Sequence, residues 1–293
     1  MLYHCQLKKQ RIYNLVFLCA TLCTHWLMGA VKEEKKEISA LMPQGQLSEE
    51  DKAKVAAAIG YNFESGQCYQ ERNLQSINPR YLMYPLTKDN ETGLHLLVSG
   101  HLLKKHLQGV DQESEDEVLN LITQILETFP NALNIKDSFS GLTLCHLAAK
   151  YSFSKDGFIQ HALFDLLNKT GKARWDICDI SQKNCLMKLM NTREKFKFNP
   201  DQKLAEKDKA LIKSMVTAKC YLESKNSFCR TVLYETVRQG GSQDVIRFLV
   251  ELKANPHTLN KVTKPESTVD LAIYHRDREK DLIEYLQNAG KSN

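Results

Sequence analysis

Apolar and polar residues alternate along this chain with the period of short amphipathic helices. Near its centre, residues 137–152 are DSFSGLTLCHLAAKYS and residues 156–171 are DGFIQHALFDLLNKTG. In each stretch the apolar residues recur every three to four positions, which predicts one helix, and a turn containing Gly141 precedes the first. The sequence therefore predicts a turn followed by a pair of helices.

The same plan recurs along most of the chain. Further copies cover residues 229–256 and 267–290, residues 90–97 with 118–134, and, more weakly, residues 184–191 with 207–220. The second helix of each pair carries an apolar stripe that one pair cannot bury alone, whereas stacked pairs bury it. We therefore predict an all-α fold in which about five helix pairs stack in a row.

Polar residues mark where the first helices begin. Such residues stand at Thr92, Thr143, Asn184, Thr231 and Ser267. A Thr or Ser before a helix accepts a hydrogen bond from a backbone amide of the first turn, and losing such a cap costs about 1 kcal/mol. His95 and His146 follow three residues after two of these caps, where a side chain reaches back to the cap.

One family has this arrangement of residues. Its pattern, D-x-x-G-x-T-P-L-H-x-A-A, is followed in order by Asp137, Gly141, Thr143, His146, Ala148 and Ala149. Leu144 stands in place of the proline and Cys145 in place of the following leucine. Over about residues 88–290 the chain resembles the ankyrin-repeat family, which implies a solenoid of ankyrin repeats.

The resemblance divides the array into five units, near residues 89–137, 138–179, 180–225, 226–262 and 263–290. Their caps are 51, 41, 47 and 36 residues apart, against about 33 in the family. The extra length predicts loops at 101–116 and 191–208 between the helices of a unit, on one rim of the array. Such loops are candidates for function.

Residues 31–88 precede the array and are expected to cap its exposed apolar end. Ser48, the acidic residues that follow it and Gly60 predict a helix over about residues 49–59.

The adjacent Cys145 and His146 raise the question of a catalytic pair. Neighbouring residues of a helix do not face each other, so the two side chains would not converge. We expect Cys145 to act as a small buried hydrophobic residue and His146 to hold the turn.

The first 30 residues have the order of a secretory signal. Basic residues precede an apolar run, small Gly29 and Ala30 follow it, and a charged segment comes next. The competing interpretations are an uncleaved anchor over residues 12–30 and an ordinary buried segment. Polar Asn14 and His25 weaken the run as a membrane span.

Charge and cysteine content limit the function classes. Removing residues 1–30 lowers the formal charge from +5 to +2, which gives no strong indication of nucleic-acid binding. Six of the nine cysteines lie after residue 30, and their spacing indicates neither a compact disulfide framework nor a zinc site. We expect these six thiols to be free.

The remaining candidate motifs for catalysis, nucleic-acid binding and metal binding are weak. The stretch SGQCYQ around Cys68 lacks the surroundings of a catalytic cysteine, and the basic-aromatic tract KFKF at 195–198 is a weak indication of nucleic-acid contact. His101 and His106 lie five residues apart, which does not match a metal-binding helix, and we expect them on a solvated face. No motif for a cofactor, a metal or a small-molecule substrate is recognised.

The ankyrin resemblance implies a non-catalytic scaffold that binds a protein partner on its concave face. Exposed aromatic and basic residues that escape the core pattern are candidate contacts. They are Phe139, Lys150, Tyr151, Arg238, Gln239, Tyr274 and His275. We expect a monomer.

Two alternatives remain open. Residues 31–88 could hold an enzyme whose substrate the repeats select, or the protein could be a scaffold tethered to a membrane by residues 12–30. An export signal before repeats that usually work inside cells suggests a bacterial protein sent to the periplasm, to the exterior or into a host cell.

Overall fold

Helices form most of the described chain, so the fold is all-α as predicted. The computed structural model describes residues 47–62, 67–68, 73–108, 112–150, 161–191, 203–260, 266–274 and 280–289. All of them lie within one compact unit, Gly45–Asn293. The predicted signal or anchor at residues 1–30 lies outside the described residues.

The described α-helices are α1 (Glu49–Ala58), α2 (Gly93–Gln108), α3 (Gln112–Thr128), α4 (Leu144–Lys150), α5 (His161–Lys169), α6 (Cys185–Asn191), α7 (Glu206–Thr217), α8 (Val232–Arg238), α9 (Gln243–Glu251), α10 (Thr268–Tyr274) and α11 (Lys280–Asn288). Short 3-10 helices cover Leu74–Ser76, Pro79–Met83 and Pro130–Asn134. Strands β1 (Tyr61–Asn62) and β2 (Gln67–Cys68) pair in antiparallel orientation. None of the helices in these ranges is long and apolar enough to span a bilayer.

The predicted helix at residues 49–59 is confirmed as α1. The Ser48 side chain accepts a hydrogen bond from the Asp51 backbone amide at 3.1 Å and donates one to the Asp51 carboxylate at 2.8 Å. This reciprocal pair satisfies an amide that the helix leaves without a partner. Gly60 then adopts a φ of +69°, which ends the helix at low steric cost.

The segment after the strands packs on the first helix pair. Leu82 and Met83, in the 3-10 helix Pro79–Met83, are buried, and this helix contacts both α2 and α3. A Cβ atom added to Gly93 would lie 2.8 Å from Cδ2 of Leu82. The glycine at the start of α2 therefore allows this close approach.

The first helices of the five predicted units contact one another in chain order. Helix α2 packs on α4, α4 on α6, α6 on α8 and α8 on α10. Small and apolar side chains fill these contacts, and Ala148, Ala149, Leu186 and Val237 are almost fully buried. The apolar spacing along the sequence therefore gives a continuous core at these junctions.

The second helices form another series of contacts. Helix α3 packs on α5, and Nε2 of His161 at the start of α5 lies 3.1 Å from the carboxylate of Asp208 in α7. The guanidinium of Arg247 in α9 lies 4.6 Å from the ring centroid of Tyr285 in α11. Polar contacts thus link helices whose apolar stripes face the core.

The predicted loop at residues 101–116 is wrong. Helix α2 continues to Gln108 and α3 begins at Gln112, so the added length extends both helices. Residues 101–108 contain neither Gly nor Pro, which would have ended the helix. His101 is 4% exposed, so its expected place on a solvated face is also wrong, whereas the His106 side chain is not described.

Candidate protein-binding surface

Turns precede helices α4, α6, α8 and α10, and we name them fingers. They cover residues 135–143, 178–184, 224–231 and the described parts of 256–267. Each finger contains one buried Asp or Asn whose side chain makes hydrogen bonds to backbone atoms of the same finger. These residues are Asp137, Asp179, Asn226 and Asn260. The Asp137 carboxylate accepts from the backbone amides of Ser140 at 2.5 Å and Leu142 at 2.9 Å, and Asp179 accepts from that of Lys183 at 2.8 Å. The buried carboxylates are thus occupied within their own turns.

Backbone hydrogen bonds join each finger to its neighbour. The Ser138 amide donates to the carbonyl of Asp89 at 2.8 Å, in the turn before α2. The Ile180 amide donates to Ser140 at 3.0 Å, and the Ser227 amide donates to Ser181 at 2.9 Å. Neighbouring fingers are therefore held in register by backbone atoms that every residue type except proline provides.

Gly141 permits one of these approaches. Its φ is +67°, and an added Cβ atom would lie 3.0 Å from the backbone nitrogen of Ile180 in the next finger. A larger residue would be strained in conformation and crowded by backbone that cannot easily move.

A histidine on α4 tethers its helix to the following finger. The Thr143 backbone N–H donates to Nδ1 of His146 at 3.2 Å, so Nδ1 is an acceptor without a proton. Nε2 therefore carries the proton and donates to the carbonyl oxygen of Lys183 at 3.2 Å. The Thr143 hydroxyl lies 2.9 Å from Nδ1 and also accepts from the His146 amide. The predicted cap and its reaching histidine are confirmed.

The same link between units is made by a histidine in the preceding unit and by an asparagine in the following one. His95 binds the Thr92 hydroxyl at 2.7 Å and the carbonyl oxygen of Ile135 at 3.0 Å. The side-chain amide of Asn184 both caps its helix and bonds to the next unit. Its Oδ1 accepts from the Met187 backbone amide at 2.9 Å, and its Nδ2 donates to the carbonyl oxygen of Tyr221 at 3.1 Å. His95, His146 and Asn184 thus connect consecutive units.

Burial keeps both tether histidines neutral. Removal from water lowers the pKa of His95, and it lowers the pKa of His146 to about 4. The hydrogen bond to Lys183 and the nearby Asp179 carboxylate act in the opposite direction but do not prevail.

Cys145 and His146 do not form a nucleophilic pair. Both side chains are 0% exposed, and both imidazole nitrogens bind groups of Thr143 and Lys183. Burial raises the pKa of the Cys145 thiol strongly, so the thiolate that a nucleophile requires is disfavoured. The structural role predicted for the pair is therefore supported by burial and by geometry.

The candidate contact residues lie in different surroundings. Phe139 is 73% exposed in the first finger and Tyr274 is 78% exposed at the end of α10. Lys150 is exposed at the end of α4. Tyr151 and His275 lie outside the described residues.

Arg238 and Gln239 belong to a polar cluster around a buried carboxylate. Glu235 is 4% exposed and accepts from Arg238 Nη2 at 2.8 Å, Arg238 Nε at 3.0 Å and Gln239 Nε2 at 3.2 Å. Gln239 also donates to the Asn191 side chain. Burial favours the neutral acid, yet these hydrogen bonds lower the pKa of Glu235. Both residues therefore support the fold as well as reaching the surface.

Sequence reasoning missed three exposed apolar residues in the fingers. Ile180, Phe228 and Leu259 are 69%, 55% and 52% exposed. Each lies one or two residues from a buried Asp or Asn that closes its finger. An apolar residue beside such an anchor is the pattern that could have identified them.

Neither the family models nor the curated protein sequences with which the chain was compared give a match. Within the described ranges, no group of three or more His, Cys, Asp or Glu side chains is arranged to hold a metal ion. The five cysteines whose side chains are described are Cys145, Cys178, Cys185, Cys220 and Cys229, and none of these five forms a disulfide bond.

Proposed function

We propose that this protein is a non-catalytic scaffold of the ankyrin-repeat type, which binds a protein partner on the face formed by its fingers and first helices. The observation that carries the proposal is the series of backbone hydrogen bonds between neighbouring fingers, at Ser138, Ile180 and Ser227. Bonds of this kind leave the outward side chains of the fingers available to a partner.

The tethers support the repeat arrangement. His95, His146 and Asn184 each reach a backbone carbonyl of the following unit, across 40, 37 and 37 residues. A repeat array predicts such contacts between neighbours, because each unit completes its core only against the next.

Exposed side chains support a binding role. Phe139 and Tyr274 are large and aromatic, and each exposes more than two thirds of its surface. Aromatic residues are enriched where proteins bind one another, because they supply contact area at a low cost in conformational entropy. Lys150 and Arg238 add positive charge at the ends of two first helices.

A comparison of variants tests the binding role. The chain from Val31 onward is immobilised to capture partners, alongside Phe139→Ala/Tyr274→Ala and the matched variant Tyr285→Ala on the second helix α11. We expect the double variant to lose captured protein at least tenfold at unchanged thermal midpoint, and Tyr285→Ala to retain it. Equal capture by all three proteins would contradict the proposed face.

Export through residues 1–30 is part of the same proposal. It predicts a mature chain that begins near Val31 and has free thiols. Intact-mass analysis of the protein from its native source, with thiol counting under denaturing and non-reducing conditions, tests both points. An intact N-terminus would favour the tethered scaffold instead.

A further inference from the structure

The fingers present a repeated pair of chemical features to solvent. Each contributes one exposed apolar side chain, and the four are Phe139, Ile180, Phe228 and Leu259. Because the Ile180 and Ser227 amides bind the preceding fingers, the apolar side chains of the first three follow one another along a single edge. We name these four residues the apolar row.

A lysine or arginine lies in the same finger as each residue of the apolar row or is bonded to that finger. Lys136 and Lys183 belong to the fingers of Phe139 and Ile180. The guanidinium of Arg230 lies 5.3 Å from the ring centroid of Phe228. Nζ of Lys225 donates to the carbonyl oxygen of Leu259 at 2.8 Å, which brings its charge to the fourth finger.

The acidic residues of the first three fingers do not offset this pattern at the surface. Asp137 and Asp179 are 5% and 4% exposed, and their carboxylates accept hydrogen bonds inside their own turns. Within these three fingers, the charged side chains that reach solvent are therefore basic.

Charge is also divided between the two sets of helices. The five first helices contain five basic and two acidic residues. The five second helices contain six basic and twelve acidic residues. The acidic residues of the described helices therefore lie mostly on the second helices, away from the fingers.

Resting on the proposed binding function, we infer that the apolar row and its lysine neighbours bind an acidic segment of the partner protein that also carries apolar side chains. Carboxylates of the segment meet Lys183 and Lys225, and its apolar side chains cover the apolar row. Electrostatic complementarity of this kind selects the partner and speeds association.

A protein segment fits this surface better than a polyanion does. Phosphate backbones are bound by clusters of Lys and Arg, whereas several cations on this side are already bonded to carboxylates. Arg230 and Arg238 both bind Glu235, and Lys188 binds Asp179. The apolar row would contribute little to a phosphate backbone.

Selection from a library of random dodecapeptides tests the inference on the full chain. We expect the selected peptides to be enriched in Asp and Glu around apolar residues, and to bind more weakly as salt rises. Ile180→Ser/Phe228→Ser and Lys183→Glu/Lys225→Glu should each lower affinity at least tenfold. Lys207→Glu/Lys213→Glu makes the same charge change on helix α7 and should leave affinity within twofold.

The remaining outcomes separate this inference from the proposed function. Selected peptides that are neutral or basic, or that bind all variants equally, would overturn the acidic partner and leave a binding module. Tight binding of a dT20 oligonucleotide or of anionic vesicles, weakened by Lys183→Glu/Lys225→Glu, would also overturn it. A library that yields no ligand would contradict both proposals.

Discussion

Nε2 of His146 lies 3.2 Å from the carbonyl oxygen of Lys183, thirty-seven residues further along the chain. One imidazole thereby connects the start of helix α4 to the finger before α6. Both of its nitrogens are used, and it is fully buried. Its contribution is therefore to hold adjacent units together.

Replacing this histidine should destabilise the protein. His146→Ala leaves the Lys183 carbonyl and the Thr143 amide without their partner in a buried site, which we expect to cost about 2–4 kcal/mol. Urea denaturation measures the change. His257→Ala is the matched control, since Nε2 of His257 also binds a distant carbonyl, that of Ala289, but is exposed. A loss below about 1 kcal/mol is expected there, and equal losses would contradict the tether.

Stability should fall as the solution becomes acidic. The pKa of His146 is about 4 in the folded protein, below the ordinary value near 6.5, so the unfolded chain binds more protons between these pH values. The contribution of His146 to the free energy of unfolding, about 3 kcal/mol, is therefore fully present above about pH 6.5 and is lost as the pH falls toward 4. Denaturation midpoints of the wild type and His146→Gln between pH 7.5 and 4.5 measure the effect. An equally steep decline in both proteins would exclude His146 as its source.

A buried hydroxyl offers a way to stabilise the chain. Thr268, in the first turn of α10, is 0% exposed, and its Oγ1 has no hydrogen-bond partner among the described residues. Thr268→Val replaces the hydroxyl by a methyl group of similar size and should raise stability by about 1 kcal/mol. Thr231→Val is the matched control, because it removes a cap that binds the Tyr234 amide at 3.3 Å. It should lower stability by about 1 kcal/mol. Thermal unfolding that shows a lower midpoint for Thr268→Val would contradict the assignment.

Arg238 should contribute to stability as well as to any binding. Arg238→Ala removes two hydrogen bonds from the buried Glu235 carboxylate. We expect a loss of about 1 kcal/mol, limited by the solvent that screens this partly exposed arginine. A double-mutant cycle with Glu235→Gln measures the coupling. Additive losses would show that the two side chains do not interact in solution.

The thiols should differ in reactivity. Cys229 is exposed, whereas Cys145, Cys185 and Cys220 are buried, and burial raises the pKa of each of these three thiols. Under native conditions a maleimide should modify Cys229 quickly and the buried three only on unfolding. Peptide mapping after timed labelling measures each site. Modification of Cys145 at the rate of Cys229 would revive the possibility of a reactive site at this position.

Local features of the fold could be predicted from the sequence. The cap at Thr143 and the histidine three residues later belong to one turn of helix, so their spacing alone indicates their contact. The α1 helix was predicted for the same reason, from Ser48 and Gly60. Asn184 could be predicted as a cap, but its bond to Tyr221 depends on how two units meet.

Features that depend on packing between units were missed. His101 is buried because α2 continues beyond the predicted loop and packs on its neighbours, which helical periodicity does not reveal. Ile180 and Phe228 are exposed because backbone bonds set the register of the fingers. An apolar residue in the sequence is expected in the core by default, so nothing in the local sequence predicted that these two side chains would be exposed.

The fingers are aligned by amides and carbonyls, which no side-chain substitution removes except a change to proline. Outward positions such as Phe139, Ile180 and Phe228 can therefore be exchanged while the frame that spaces them persists. A lineage carrying this chain could acquire a new ligand through a few point changes, and an engineer could diversify the same positions to obtain binders of chosen specificity.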